Sequence, residues 1–283
     1  DPALPLRCNT CHAPLAEQQD DAALRAEGVT CAACHVREGH KLGPPVPVHR
    51  RLPAPGMAAR PEPRFARSDF CLPCHNLPLD VAVAGRPLLD TWREWAASPY
   101  LPAGVQCQHC HQPDGRHHFR GVHDVAFVRG AVELRAHIEA GDALRVVAEV
   151  QNIGAGHHFP TTATPRAVLR VRQLGLNGPL AGTEALWALG RTVEWSDGWR
   201  EVADTRVPAS GVATRRYTRS RAAGATAIEV SLHIFPDWYY ARFYRGRLAR
   251  TDLPAAARAD FAAALAEAEA SAQLVDVIRL PLP

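Results

Sequence analysis

Eight cysteines and the histidines beside them carry the clearest chemical signature in this sequence. The spacing C-x-x-C-H occurs four times, as CNTCH, CAACH, CLPCH and CQHCH. The cysteines are Cys8, Cys11, Cys31, Cys34, Cys71, Cys74, Cys107 and Cys110, and the histidines are His12, His35, His75 and His111. This spacing is typical of haem c attachment, in which two thiols bond to porphyrin vinyl groups and the adjacent histidine ligates the iron.

A single C-x-x-C pair could instead serve as a redox dithiol or as half of a zinc site. The four pairs use every cysteine of the chain, and neither zinc binding nor disulfide formation requires a histidine at the same offset four times. The sequence therefore predicts four haem c groups.

The chemistry of attachment also indicates a compartment. Haem is attached covalently outside the cytoplasm, where these thiols would otherwise pair as disulfides. We therefore expect a periplasmic or extracellular protein. The opening residues DPALPLRCNT contain no basic segment followed by an apolar one, so we expect the numbering to be that of a mature chain whose signal peptide has been removed.

A six-coordinate iron needs a second axial ligand besides the histidine of its motif. Met57 is the only methionine, so at least three irons must use another residue. Bis-histidine ligation at most or all sites, with low redox potentials, is the expectation. The favoured distal ligands are His49 in a proline-stiffened loop, His117 and His123 in HHFRGVHD, and His157 in NIGAGHHFP.

The segment around His157 is unusual because it lies in the half of the chain without cysteine. Gly154 and Gly156 are expected to let the backbone approach a flat porphyrin, and Pro160 to stiffen the exit from the loop. In this interpretation His157 caps an iron and His158 turns the other way, so the loop links two domains or two subunits. The alternative is a surface loop with solvated histidines.

The elements around the motifs suggest a duplication. Gly28-Val29 and Gly104-Val105 stand at the same distance before the second and fourth motifs, which indicates two-haem modules at about 8–50 and 71–124. Each module is expected to contain one helix between its motifs. The first covers about 14–27, and the second starts near Pro87 and includes Trp92 and Trp95. Residues 36–70 are rich in proline and predict an extended loop wrapped on the haems.

The second half shows a different pattern. Residues 142–151, 166–173, 191–195 and 226–235 alternate partly between apolar and polar residues, which favours strands. An alanine-rich helix over about 254–272 and a last strand in QLVDVIRLPL follow. We therefore predict a mostly irregular and α-helical tetrahaem domain over 1–130, plus a cysteine-free, all-β sandwich-like domain with one appended helix over 131–283.

The composition fits this division and excludes some classes of function. The chain has 283 residues, of which 47% are hydrophobic and 22% charged, as in globular proteins of one or two domains. The net charge of +3 and the lack of a polybasic run argue against nucleic acid as a partner. The sequence contains no run of 18 uninterrupted apolar residues, so it does not predict a membrane span.

The second module resembles multihaem c-type cytochromes that are built from packed two-haem modules. The resemblance rests on these residues: Cys71 to His75, Trp95, Ser98, Gly104-Val105, Cys107 to His111, His117, Phe119, Gly121 and His123. The loop residues Asn152, Gly154 to His157, Pro160 and Thr161 resemble the C-terminal part of some members. The resemblance implies closely spaced bis-histidine haems and a role in electron transfer. Members include periplasmic carriers and extracellular cytochromes that polymerise into conductive filaments.

Three hypotheses about function follow. The first is electron transfer through four haems between redox partner proteins or extracellular acceptors, with no catalytic residue. The second, within the same class, is a subunit of a cytochrome filament or nanowire, in which a neighbouring subunit could donate a distal ligand. The third is a multihaem oxidoreductase that acts on a small nitrogen or sulfur species at an open iron position. The C-x-x-C-K variant that marks the catalytic haem of related nitrite reductases does not occur here.

Overall fold

The computed structural model describes residues 4–45, 59–79, 82–113, 115–141 and 143–282. The candidate ligand His49 and the single methionine Met57 lie outside the described residues. The chain divides into two compact units. Unit 1 comprises residues 1–77 and 102–119, and unit 2 comprises residues 78–101 and 120–283.

The helices and strands alternate irregularly along the chain. The α-helices are α1 (Leu4–His12), α2 (Glu17–Asp20), α3 (Ala22–Ala26), α4 (Cys31–His35), α5 (Leu72–His75), α6 (Thr91–Ala96), α7 (Cys107–His111), α8 (Val125–Ala131), α9 (Trp238–Leu248) and α10 (Ala255–Ala270). Two 3-10 turns span Pro63–Ala66 and Ser68–Phe70. The strands are β1 (Val36–Arg37), β2 (His40–Gly43), β3 (Arg60–Pro61), β4 (Ala82–Val83), β5 (Arg86–Pro87), β6 (Val132–Glu139), β7 (Leu144–Asn152), β8 (Arg166–Gly175), β9 (Gly178–Pro179), β10 (Ala185–Leu189), β11 (Arg191–Trp195), β12 (Trp199–Asp204), β13 (Val212–Arg219), β14 (Ala227–Phe235) and β15 (Gln273–Pro281).

The helix expected over 14–27 is divided into α2 and α3. Asp21 is extended, and its carboxylate accepts hydrogen bonds from the backbone N–H groups of Ala23 and Leu24. Aspartate stabilises a helix N-terminus in this way better than it stabilises a helix interior, so a new helix starts there. The buried amide of Gln18 donates to the carbonyls of Leu24 and Gly28, which fixes the two short helices against each other.

Residues 36–70 contain more regular structure than the extended loop that the prolines predict. In the described part of this segment, β1 pairs with β2 in an antiparallel hairpin, and β2 pairs with β3 in parallel. The two 3-10 turns then deliver the chain to the third C-x-x-C-H motif. These pairings and turns lie within the described residues 36–45 and 59–70, directly after the second motif and directly before the third.

Residues 78–101 belong to unit 2, which is rich in β-strands, and not to unit 1, which carries the C-x-x-C-H motifs. The guanidinium of Arg191 is fully buried and donates to the carbonyls of Val83, Arg86 and Pro87, and its Nε lies 2.7 Å from a carboxylate oxygen of Glu201. These bonds fix the β4–β5 hairpin to the β11–β12 hairpin. Pro87 therefore lies in β5 and not in the first turn of a helix, and α6 begins only at Thr91.

Unit 2 contains a two-layered β-sandwich. One sheet has the strand order β10-β8-β14-β15 with β9 beside β8, and the other has the order β13-β7-β6; neighbouring strands are antiparallel. Leu169 and Val230 of the first sheet and Val146 and Val150 of the second are fully buried in one apolar cluster. Burial of this kind contributes about 1.5–3 kcal/mol for each large aliphatic side chain. The predicted sandwich-like character of this region is confirmed.

Two helices, not the one predicted, follow β14. The expected alanine-rich helix is α10, and the expected last strand is β15. The additional helix, α9, has the sequence WYYARFYRGRL, which mixes aromatic and arginine residues without a clean apolar stripe. Among the described residues, no helix is long and apolar enough to cross a membrane.

Candidate haem-attachment sites

All four C-x-x-C-H motifs fold as short helical turns within unit 1. They form the end of α1, the whole of α4, the α5 turn with Cys71 at its start, and α7. Residues three and four positions apart lie on the same face of a helix. Each motif therefore places its two thiols and its histidine on one side of the turn, which is the arrangement that thioether attachment and iron ligation need. All eight cysteines lie within the described residues, and none of them forms a disulfide with another.

The third and fourth motifs are in direct contact. The backbone N–H of Cys107 donates to the hydroxyl of Ser68 over 3.0 Å, and the backbone N–H of Ser68 donates to the side chain of Gln106 over 2.8 Å. A hydrogen bond between the two thiols lowers the pKa of Cys107 to about 6 and raises that of Cys71. The first thiols of these two motifs therefore lie side by side.

The third motif also adjoins the first and the second. The thiol of Cys11 lies 3.9 Å from the carbonyl oxygen of Pro73. Burial and then the neighbouring thiol of Cys11 raise the pKa of Cys74 to about 11. Cys34 of the second motif raises the pKa values of Cys71 and Cys74 electrostatically. The attachment turns therefore form one cluster around the third motif, and the contacts cross the boundary between the repeats predicted from the sequence.

Two of the motif histidines, His35 and His75, have well-defined neighbours. The ring Nδ1 of His35 lies 2.8 Å from the carbonyl oxygen of Leu42, and the ring of Phe65 stacks on His35 with centroids 4.9 Å apart. Burial, and then the nearby His111, lowers the pKa of His75. His75 is thus neutral at pH 7, which is the form that ligates a metal.

The two distal candidates of HHFRGVHD lie in different units. His117 is in unit 1, where its ring is 5.7 Å from that of His35. His123 is in unit 2, where its Nε2 lies 2.9 Å from a carboxylate oxygen of Asp237. Ligation by His123 through Nε2 would require this contact to be given up, and it stays a prediction.

The loop that carries His157 is held in place by the buried side chain of Asn152. Its Nδ2 donates to the carbonyl of His157 over 2.9 Å, and its Oδ1 accepts from the backbone N–H of Ala155 over 2.9 Å. Phe159 and Val207 exchange two backbone hydrogen bonds of 2.7 Å at the exit of the loop. The ring Nδ1 of His157 lies 2.9 Å from the carbonyl oxygen of His158. Because a carbonyl only accepts, the neutral ring of His157 carries its proton on Nδ1.

The two glycines of this loop serve protein packing, which corrects the expectation that they admit a porphyrin. A Cβ on Gly154 would lie 2.4 Å from the carbonyl oxygen of Gly130. A Cβ on Gly156 would lie 3.2 Å from the ring atoms of Trp95 and Tyr100. Glycine is therefore needed at Gly154, whereas a side chain at Gly156 would require the two rings to move by a few tenths of an ångström.

A buried ionic cluster that sequence reasoning missed fixes the second histidine of the loop. The Nδ1 of His158 lies 2.9 Å from Glu94, and Arg206 lies 2.6 Å from Glu94 and 2.8 Å from Asp204. Burial alone would raise the pKa of Glu94, but His158 and Arg206 outweigh it and lower this pKa to about 2. The ring of His158 is thus engaged with Glu94. No local sequence pattern predicts this cluster, because Glu94, His158 and Arg206 are far apart in the sequence.

A known structure shares this fold. No family model matches the chain, and no curated protein sequence does. A penta-heme cytochrome c552 from Thermochromatium tepidum aligns with a TM-score of 0.68 and 19% sequence identity, over 97% of this chain and 83% of that chain. A likeness at this identity concerns the fold alone.

Proposed function

We propose that the chain carries four covalently bound haem c groups and transfers electrons among them. The observation that carries the proposal is the clustering of the four C-x-x-C-H turns in one compact unit, each with two thiols and a histidine on one face. A cluster of attachment sites places successive redox groups near one another, which is what hopping of electrons along a chain requires.

The cysteines and the histidines of the motifs have different roles in this proposal. The eight cysteines would attach the haem groups, and His12, His35, His75 and His111 would each supply one ligand to an iron. The haem itself supplies the one-electron chemistry, and the protein sets the potentials through the second ligand, burial and hydrogen bonds to the ligands. The hydrogen bond from His35 to the carbonyl of Leu42 is one such bond to a ligand. It orients the ring and makes its other nitrogen a more basic ligand for iron.

The fold supports the same class of function. The structure that it resembles is a cytochrome with five haems, whereas this sequence offers four attachment motifs. Covalent attachment implies a place outside the cytoplasm, periplasmic or extracellular, and redox proteins or extracellular acceptors as partners.

Two finer hypotheses stay predictions. A filament subunit would form polymers in purified samples, which electron microscopy detects; discrete particles under all conditions would contradict it. A multihaem reductase for a small nitrogen or sulfur species needs an iron with an open position, and a spectrum without any high-spin, ligand-binding haem would contradict that alternative.

The proposal predicts the number of haems directly. Under denaturing conditions, the intact mass of the exported protein should exceed that of the polypeptide by four haems. The double variant Cys107→Ser/Cys110→Ser should retain three, because thioether bonds form only at the cysteines. A matched control is Ser68→Ala, which removes the hydroxyl beside Cys107 but no thiol and should retain four. A protein whose haem is lost on denaturation would contradict the proposal.

A further inference from the structure

The imidazole of His117 lies beside that of His35. The two ring centroids are 5.7 Å apart, and the ring planes are inclined at 68°. His35 belongs to the second motif, whereas His117 follows the fourth motif in the sequence. Both residues are in unit 1, which also carries the four C-x-x-C-H motifs.

The spacing of the rings matches that of two axial ligands on one iron. A histidine nitrogen binds a metal ion at about 2.0–2.1 Å, so two imidazoles on opposite sides of one ion have centroids about 6 Å apart. The observed 5.7 Å is close to this value. Ordinary aromatic pairs cover about 4.5–7 Å, so the spacing needs a second observation to support ligation.

The second observation is the state of the His35 ring. Its Nδ1 lies 2.8 Å from the carbonyl oxygen of Leu42, and since a carbonyl only accepts, the proton of the neutral ring is on Nδ1. The lone pair is therefore on Nε2. Histidines that ligate a metal almost always donate their other ring N–H in this way.

Aromatic packing also fixes the plane of this ring. Phe65 stacks on His35 at an angle of 20°, and Phe70 lies against Phe65 with centroids 4.5 Å apart. His35 is thus oriented by a hydrogen bond and by a stacked ring, and the imidazole of His117 is a third neighbour of its ring.

We propose that His117 is the axial ligand opposite His35 on the haem attached to Cys31 and Cys34. The inference rests on the proposed function, because it presumes haem at the second motif. It deepens that function by assigning a ligand pair to one iron. The segment after the fourth motif then completes the site of the second motif, so the two sequence repeats are interlocked and not independent two-haem modules.

The spin state of the irons tests whether His117 is a ligand. In His117→Ala, one haem in four should become high-spin and bind carbon monoxide, as measured by electron paramagnetic resonance and optical spectroscopy. The control is His118→Ala, which alters the adjacent exposed histidine and should leave all haems low-spin. A low-spin spectrum of His117→Ala with four haems attached would overturn the inference while leaving the proposed function intact.

Removal of individual haems tests which iron His117 serves. The Cys31→Ser/Cys34→Ser background should retain three haems, and adding His117→Ala to it should produce no high-spin haem. In the Cys71→Ser/Cys74→Ser background, the same addition should still produce one. A high-spin haem that persists without Cys31 and Cys34 would assign His117 to another iron and overturn the pairing.

A conservative variant keeps the test valid if the alanine variant does not mature. His117→Met retains a ligand and should keep every iron low-spin, with one haem shifted to a higher potential in a redox titration, because methionine ligation raises the potential. An unchanged titration would contradict the pairing. Failure of the wild-type protein to attach four haems would instead contradict the proposed function.

Discussion

The Arg206→Met variant should lose about 3–5 kcal/mol of unfolding free energy, because it removes one partner of a buried ionic cluster. The side chain of Arg206 is 2% exposed and that of Glu94 is 5% exposed. Methionine fills a similar volume but leaves the carboxylates of Glu94 and Asp204 without their shared cation. Urea denaturation followed by far-ultraviolet circular dichroism measures the change.

An exposed ion pair of the same unit provides the control. Arg245 lies 2.6 Å from Glu269, but the two side chains are 57% and 47% exposed. Exposed pairs contribute about 0.2–1 kcal/mol, so Arg245→Met should change the unfolding free energy by no more than that. Equal losses in the two variants would show that burial does not strengthen the Arg206 cluster.

The same cluster predicts a dependence of stability on pH. Burial raises the pKa values of Glu94 and Asp204, but contacts of Glu94 with His158 and Arg206, and of Asp204 with Arg206 and Arg86, outweigh burial and lower both to about 2. The folded state therefore binds fewer protons than the unfolded state at acid pH. For Glu94, the fall from an ordinary 4.5 corresponds to about 3 kcal/mol, present above pH 4.5 and lost as the pH falls towards 2.

Comparison of variants across pH isolates this contribution. Urea denaturation of the wild-type protein at pH 7 and pH 3 should show a loss of stability on acidification. Arg206→Met should show a smaller loss, because without the guanidinium the pKa of Glu94 in the folded state rises towards its ordinary value. A loss of the same size in both proteins would exclude Arg206 as the cause of the acid sensitivity.

Local spacing explains what the sequence predicts well. The C-x-x-C-H motifs are complete within five residues, so the sequence identifies them before the fold is known. The strands over 166–173 and 226–235 and the helix over 254–272 are predicted from periodicity and are present within a few residues as β8, β14 and α10. Each depends on neighbours along the chain.

Contacts between residues that are far apart in the sequence explain what the sequence predicts poorly. Residues 78–101 look like part of a haem module because they separate two motifs, yet the buried Arg191 binds them into the β-rich unit. In the same way, the division of the chain falls at 119/120 and not at 130, which separates His117 from His123. A single buried guanidinium has no periodicity, so such effects are invisible before the fold is known.

The loop glycines show how one pattern can have two physical causes. Gly154 and Gly156 suggest a close approach of the backbone to some flat surface, and the structure shows a close approach to Gly130, Trp95 and Tyr100. The predicted partner was a porphyrin, and in the structure the two glycines approach protein atoms instead. The ligand hypothesis for His157 therefore depends on the histidine itself and no longer on the glycines.

We expect the His157→Ala variant to convert one low-spin haem into a high-spin haem. Three features favour His157 as a ligand: the proton of its neutral ring is on Nδ1, its backbone carbonyl is held by the buried Asn152, and His158 is committed to Glu94. A rigid backbone and a defined tautomer are what an axial ligand needs. Optical and electron paramagnetic resonance spectra measure the outcome, with the exposed His137→Ala as a control that should stay low-spin.

Combination with the His117 variant separates the two ligand hypotheses. If His157 and His117 serve different irons, the double variant His117→Ala/His157→Ala should contain two high-spin haems in four, since each substitution opens its own site. One high-spin haem in the double variant and in both single variants would show that both substitutions open the same iron, so only one of the two histidines would be its ligand and the other would act on that site indirectly. Four low-spin haems in His157→Ala would reject His157 as a ligand, and the loop would then be a packed surface loop whose histidines serve only to stabilise unit 2.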